Sequence, residues 1–311
     1  MKVLHVTNLY PTTKNTTYGI FVKEQIDALK DNKMESYYFI NAKEKGLKSY
    51  IKAFVALRSI VKPFDIIHCH HQFSVIPLIF SRKKIILSVL GDIKKRSFVN
   101  RFVFNIVKHK CKKIIFKNYL PNLNSKYYLL PNGVNTDVFF KSSRYEARSI
   151  LNLDQEKNYI LFVSNGSLSN PIKRKDKFDE ILTILNKDKI KFHELILSNI
   201  SRDQVIHYYN AANLMLVTSD HEGSPNAVKE AMSCSLPIVS TPVGDVQKNL
   251  KDVTNSFVSD NFNTKDLVEL VKKISLNEES NSRDIIFDLK LDLSSKVNEL
   301  KYLYKLVYEE S

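Results

Sequence analysis

Two carboxylates, Glu222 and Glu230, are separated by seven residues. They sit within the stretch from Asn213 to Val246, NLMLVTSDHEGSPNAVKEAMSCSLPIVSTPVGDV. Leu214 to Ser219 is an apolar, β-branched run of buried-strand length. Ser224 and Pro225 together signal a helix start, Ser as N-cap and Pro at the first helical position. The helix expected from about Pro225 to Ser233 leads into a strand over Pro237 to Thr241. This is one parallel βαβ turn, and such sheets bind ligands beyond the carboxyl ends of their strands. A helix N-terminus there offers free amides and partial positive charge to a phosphate. Two carboxylates beside a phosphate would be repulsive unless they faced something neutral and rich in hydroxyls. A nucleotide sugar meets both conditions, with phosphates on the amides and hydroxyls on Glu222 and Glu230. In an arbitrary sequence this spacing is more often one solvated helix charge and one loop charge, so context decides.

Three further groups could take part in chemistry. Lys173, Arg174 and Lys175 follow the apolar run Tyr159 to Asn165. After a strand end such a cationic run suits a diphosphate, Arg as a two-pronged fork and Lys as a point charge. His68 and His70 lie in DIIHCH and share one strand face. They could begin a metal site, but no third ligand of suitable spacing is evident, and no acidic Asp-x-Asp pair is present, so no metal is expected. Gly19 stands between the strand Lys2 to Asn8 and the amphipathic helix GIFVKEQIDALK, where a glycine lets the backbone approach a ligand or simply makes a turn.

The elements that must position these residues follow from the placement of seven glycines. Gly91, Gly133, Gly166, Gly223 and Gly244 each follow an apolar strand-like run, which implies doubly wound α/β units with functional loops on one edge. The first unit lacks G-x-G-x-x-G, which argues against a dinucleotide oxidoreductase. Val297, Leu300, Leu303, Tyr304 and Val307 share one face of a final helix.

EGSPNAVKEAMSCSLPIVSTPVGDV resembles the donor-site segment of family 4 retaining glycosyltransferases, glycosyl transferases group 1, which have the GT-B fold. FDIIHCHHQFS resembles the family's Asp-x-x-His-x-His element, and LLPNGVNTDVF its Pro-Asn-Gly-Val segment. The resemblance implies two Rossmann-like domains facing a central cleft, with the C-terminal helix crossing back to the first domain. It also implies that Glu230 holds the ribose, Glu222 the transferred sugar, and Arg174 and Lys175 the leaving diphosphate. The Gly223 and Ser224 amides would assist, His70 would orient the sugar, and the Gly19 loop would close over the donor. Leu90 stands where relatives often have His, and Asp176 where they have Gly. The segment Asn165-Gly166-Ser167 lacks an Arg that some members show.

On this reading the domains are 1–143, a linker 144–157, a donor domain 158–292 and a returning helix 293–311. The expected activity moves a hexosyl or N-acetylhexosaminyl group, UDP-sugar favoured as donor, to a glycan or lipid-linked acceptor with retention, in cell-surface polysaccharide synthesis. A sugar-nucleotide epimerase on the same scaffold and an inactive nucleotide-sugar-binding subunit are the alternatives.

The chain of 311 residues has no apolar run long enough to span a bilayer. No secretory signal is visible in MKVLHVTNLYP, and three scattered cysteines suggest a reducing compartment, so a cytoplasmic protein is expected. The net charge of +14 is uneven: residues 1–150 hold 27 Lys+Arg against 9 Asp+Glu. The excess points to an anionic partner, either an acidic acceptor or an anionic membrane surface that would place the protein peripherally on the inner face. Lys94, Lys95, Arg96, Lys108, Lys110, Lys112 and Lys113 form the patch around SFVNRFVFNIVKHK. That stretch is either a core helix with a solvated face or a membrane-surface element. No nucleic-acid module accompanies the charge, so nucleic acid is not an expected partner.

Overall fold

The computed structural model describes residues 1–14, 16–29, 35–91, 97–122, 124–164 and 168–310. Lys94, Lys95, Arg96 and the Asn165-Gly166-Ser167 segment lie outside them. The described chain divides into two compact units, Met1–Asn132 with Leu293–Ser311, and Gly133–Asp292.

The first unit opens with β1 (Val3–Thr7), α1 (Ile20–Leu29), β2 (Glu35–Phe39), α2 (Ala42–Lys45) and α3 (Lys48–Ile60). It continues with β3 (Ile66–His70), β4 (Lys84–Ser88), α4 (Phe98–Val107), β5 (Lys113–Phe116) and β6 (Tyr127–Leu129). All six strands are parallel, in the order β2-β1-β3-β4-β5-β6. Alternation of side chains across the strands divides the sheet between two cores. Leu4, Val6, Ile67, Cys69, Ile85, Leu87 and Phe116 face α3, a 3-10 segment at Gln72–Leu78, and α4.

The second unit comprises α5 (Arg144–Ile150), β7 (Asn158–Val163), α6 (Lys175–Leu185), β8 (Phe192–Leu197), α7 (Val205–Ala211) and β9 (Leu214–Val217). It ends with α8 (Asn226–Ser233), β10 (Ile238–Ser240), α9 (Val246–Asn249), β11 (Phe257–Val258), α10 (Thr264–Lys272) and α11 (Ser282–Asp288). Its five strands are again parallel, in the order β11-β10-β9-β7-β8. The polar stretch 144–157, expected as a linker, instead packs α5 against α7. Arg148 explains why: buried, it donates to the Ala211 carbonyl at 3.0 Å and to Asn213 Oδ1 at 2.8 Å. Residues 133–143 also belong here, since Arg283 donates to the carbonyls of Phe139 and Thr136.

The last helix, α12 (Leu293–Glu309), returns to the first unit. Val297, Leu300, Leu303, Tyr304 and Val307 are buried against Val3, Ile66, Ile86 and Ile115, the other face of the first sheet. Among the described residues no helix is long and apolar enough to cross a membrane.

The packing of α12 carries its own test. Leu300→Ala removes a fully buried side chain and should lower the stability of the first unit by about 2–5 kcal/mol. Tyr302→Ala, on the exposed side of the same helix, should change it by less than ~0.5 kcal/mol. Urea unfolding of both variants measures the contrast, and equal losses would show that α12 is not held by this face.

Candidate active site

In the second unit β7 has β8 on one side and β9 on the other, so the direction of chain progression reverses between β7 and β9. Crossovers leave in opposite directions there and open a crevice beyond the strand ends. The loop after β7 carries Lys173 and Arg174, and the loop after β9 carries Glu222, Gly223 and Ser224.

The two loops are stitched together. The Asp220 amide donates to the Ile172 carbonyl at 2.9 Å, and the buried Thr218 hydroxyl donates to the carbonyl of Lys173 at 2.8 Å. Lys173 Nζ lies 2.6 Å from Glu222 Oε1, which also accepts from the Ser219 hydroxyl at 3.0 Å. Both partners of that ion pair are 19% exposed, open to an arriving ligand yet shielded from bulk water. Arg174 adopts a left-handed backbone at φ 52°, uncommon outside glycine, and its guanidinium lies between Asp176 and Asp220.

The structure separates the expected cations. Lys173, which the family resemblance passed over, reaches Glu222, whereas Lys175 turns to Asp179 and to Glu194 on β8 at 3.1 Å. Its ammonium also lies over the rings of Phe162 and Phe178. Lys175 is therefore not part of the group around Glu222; its place in the first turn of α6 aims it at the helix flank. Asp176, a departure from the family pattern, is the main carboxylate holding Arg174.

Helix α8 begins one residue later than expected, with Pro225 rather than Ser224 at the N-cap and no side-chain cap. The Ser224 hydroxyl is drawn elsewhere: it donates to Asp245 Oδ2 at 2.6 Å and accepts from the fully buried Lys229. Lys229 Nζ and Asp245 Oδ2 are 3.8 Å apart, a buried charge pair tying α8 to the loop after β10. Ser224 can thus offer a ligand its amide, while its hydroxyl is committed. Gly244, at φ 57°, presses on the same loop: a Cβ there would lie 2.1 Å from the Gly223 carbonyl oxygen.

Glu230 points inward from α8 and is nearly buried. The Tyr209 hydroxyl donates to Oε2 at 2.8 Å, and Arg202 NH1 lies 2.8 Å from Oε1. Burial and the Glu230 carboxylate push the Tyr209 phenol well above its ordinary value, so it remains a donor. Arg202 and Tyr209 were not expected from the sequence; neither lies in a motif, and they reach Glu230 from α7 (Tyr209) and from the turn that precedes it (Arg202).

In the first unit the reversal lies between β1 and β3. Gly19, at φ 70°, follows β1, and an added Cβ there would lie 2.4 Å from the Leu9 carbonyl carbon. Its freedom is thus needed for the chain to pass its own backbone. His70 is buried with His68, and a third histidine joins them: His5, in register with His68 on β1. His5 was missed because the pairing is across strands, which spacing along one strand does not reveal. Ring nitrogens of the three lie within 4.8 Å of one another, a set that could hold a metal ion. Ring nitrogens of the three are already engaged: His5 Nδ1 with His70 Nε2 at 3.0 Å inside the trio, His68 Nδ1 with the Tyr304 hydroxyl at 2.6 Å, and His68 Nε2 with the Ser88 hydroxyl at 2.8 Å. Burial, and the mutual repulsion of the imidazolium forms, hold His68 and His70 well below the ordinary histidine value.

The family described as glycosyl transferases group 1 matches residues 151–286, most of the second unit. An uncharacterized glycosyltransferase of Methanocaldococcus jannaschii is 26% identical over 311 aligned positions, covering 89% of this chain and 85% of that one. The solved sucrose-phosphate synthase of Thermosynechococcus elongatus superposes at a TM-score of 0.78, covering 100% of both chains at 14% identity. HepE of Anabaena, solved in complex with UDP-glucose, superposes at 0.73, covering 98% of this chain and 99% of that one at 13% identity. The fold, two parallel-sheet α/β domains, is the GT-B fold that these solved structures share.

The histidine cluster predicts a pH dependence. A neutral buried histidine has its folded-state pKa below the unfolded value of 6.5, so its stabilisation is complete above 6.5 and is lost as pH falls below it. Each such histidine contributes a slope of up to about 1.4 kcal/mol per pH unit in that window. Thermal unfolding from pH 7.5 to 5 should show the loss, and His68→Gln, whose amide can serve Tyr304 and Ser88, should flatten it. An unchanged slope in the variant would reject the assignment.

Proposed function

We propose that the chain is a retaining glycosyltransferase that moves a hexosyl or N-acetylhexosaminyl group from a nucleotide sugar to a hydroxyl of a glycan or lipid-linked acceptor. The observation that carries this reading is the pair of loops at the β7/β9 crevice. There a paired lysine and carboxylate, Lys173 and Glu222, stand beside the uncapped N-terminus of α8. The first-turn amides of α8 receive the donor's diphosphate. Lys173 and Arg174, each held by carboxylates, exchange part of that pairing for phosphate oxygens. They then stabilise the charge that grows on the leaving diphosphate as the glycosidic bond breaks. Lys175 contributes only if it leaves Asp179 and Glu194.

Glu222, released from Lys173, accepts hydrogen bonds from the sugar hydroxyls. Glu230 is fixed by Tyr209 and Arg202 and still has lone pairs on both oxygens for the ribose hydroxyls. A UDP-sugar is the favoured donor, supported by the complex of HepE with UDP-glucose. His70 orients the transferred sugar, and the Gly19 loop covers the donor. The leaving-group charge is met by cations of the chain, so the mechanism requires no metal. Retention then proceeds without a protein nucleophile, the acceptor entering on the face the diphosphate leaves. Synthesis of a cell-surface polysaccharide is the process this activity would serve.

Two substitutions separate the roles. Glu230→Ala should weaken binding of UDP at least tenfold in calorimetric titration, since a good hydrogen-bond set to a charged group is worth about 1.5–3 kcal/mol. Lys173→Ala should lower turnover of a UDP-sugar 10²–10³-fold with a smaller change in UDP affinity, the pattern of a group acting mainly in the transition state. Unaltered UDP affinity in the first variant would remove the ribose assignment, and unaltered turnover in the second would remove Lys173 from the reaction.

A further inference from the structure

Helix α4 is apolar on both sides. Phe104 and Val107 are buried against the sheet, as a surface helix requires. The opposite side should be polar, yet it presents Phe98, Val99, Phe102 and Ile106, exposed by 72%, 58%, 55% and 46%. At 100° per residue these four positions form one stripe about 100° wide, centred roughly opposite the buried pair. The Phe98 and Phe102 rings stack at 6.2 Å, so the stripe is continuous. Single exposed hydrophobes are ordinary; a contiguous row of this kind marks a contact surface.

The charge around the stripe identifies the contact. Residues 97–136 contain seven Lys and Arg and no Asp or Glu. Two helical segments on this face of the first sheet, Lys48–Ile60 and Gln72–Leu78, contain no acidic residue either; the acid on a neighbouring helix is Glu44 of α2, which packs against α3. Leu47, Ile51 and Val55 are exposed on α3 and its N-cap, and Phe80 is exposed just after the 3-10 segment. A cavity of about 490 Å³ lies between α3 and that segment, floored by Leu57, Pro77 and Leu78 and bordered by Arg58 and Arg82.

From this apolar stripe, uncovered by the described residues, and its cationic setting we infer that α4 docks on an anionic lipid bilayer. Its phenylalanines enter the headgroup boundary, and Arg101, Lys108 and Lys110 meet lipid phosphates. An amphipathic helix lying in the interface plane needs this pairing of apolar side chains with cationic flanks. A protein partner would have to bring both a matching apolar groove and excess acid; an anionic bilayer supplies both. The inference does not rest on the proposed transfer reaction and would hold for a binding protein of the same fold.

The chain contains no tryptophan, so one introduced into the stripe reports on it alone. Phe102→Trp should show a blue-shifted, enhanced emission with phosphatidylglycerol vesicles at low salt. Tyr302→Trp, on α12 across the sheet, should keep its aqueous emission. Sedimentation with the same vesicles should fall at least tenfold for Phe98→Ser/Phe102→Ser and for Arg101→Glu/Lys108→Glu. The second loss follows from roughly fivefold per basic residue removed near the surface. Both double variants should melt close to the wild-type temperature, because Phe98, Phe102 and Arg101 are exposed and the half-buried Lys108 gives up only a surface hydrogen bond to Asn105. Equal binding to phosphatidylcholine vesicles, no binding by the wild-type chain, or undiminished binding by the double variants would overturn the inference. So would a concentration-dependent dimer abolished by Phe98→Ser/Phe102→Ser, since a second copy would then be the occupant.

Discussion

The contact between Gly223 and Gly244 fixes how the second unit can present a ligand site. The loops after β9 and β10 approach so closely that no side chain fits at Gly244. Beneath them the buried Lys229 and Asp245 span the same two elements, with the Ser224 hydroxyl between. Two buried charges bring desolvation costs that only close pairing offsets. The pairing therefore holds best in one arrangement of α8 and its neighbouring loop, and that arrangement leaves the first turn of α8 without a side-chain cap.

The same economy of partners runs through the cations. Lys173 is matched to Glu222, Arg174 to Asp176 and Asp220, Lys177 to Asp220, and Lys175 to Asp179 and Glu194. What distinguishes Lys173 is its partner: Glu222 stands in the loop at the crevice, whereas the partners of Lys175 lie on the flank of α6 and on β8.

Fold class and element order were legible in the sequence because buried parallel strands read as continuous apolar runs and the few glycines fall just after them. The face of α12 was legible for the same reason, since helical period alone selects Val297, Leu300, Leu303, Tyr304 and Val307. The site was legible only along the chain. Glu222 and Glu230 share a motif, but Glu230's partners Tyr209 and Arg202 arrive from α7 and the turn before it, and His5 meets His70 through strand register. The polar segment 144–157 misled because Arg148 looks like a solvated charge until its carbonyl partners are seen. Likewise α4 could be read as a core helix or a surface element, since a sequence does not state which of two apolar faces is covered.

The return of α12 makes the first unit discontinuous in the chain, whereas residues 133–292 are contiguous. A ribosome therefore releases everything the second unit needs while the first sheet still lacks the helix that covers Val3, Ile66 and Ile86. During that interval the Tyr304 partner of His68 has not been made, and a strip of apolar parallel sheet is open to water. The order of synthesis thus inverts the order of the domains: the unit begun second can be completed first. The nascent first unit is the stretch that chaperones or proteases would meet.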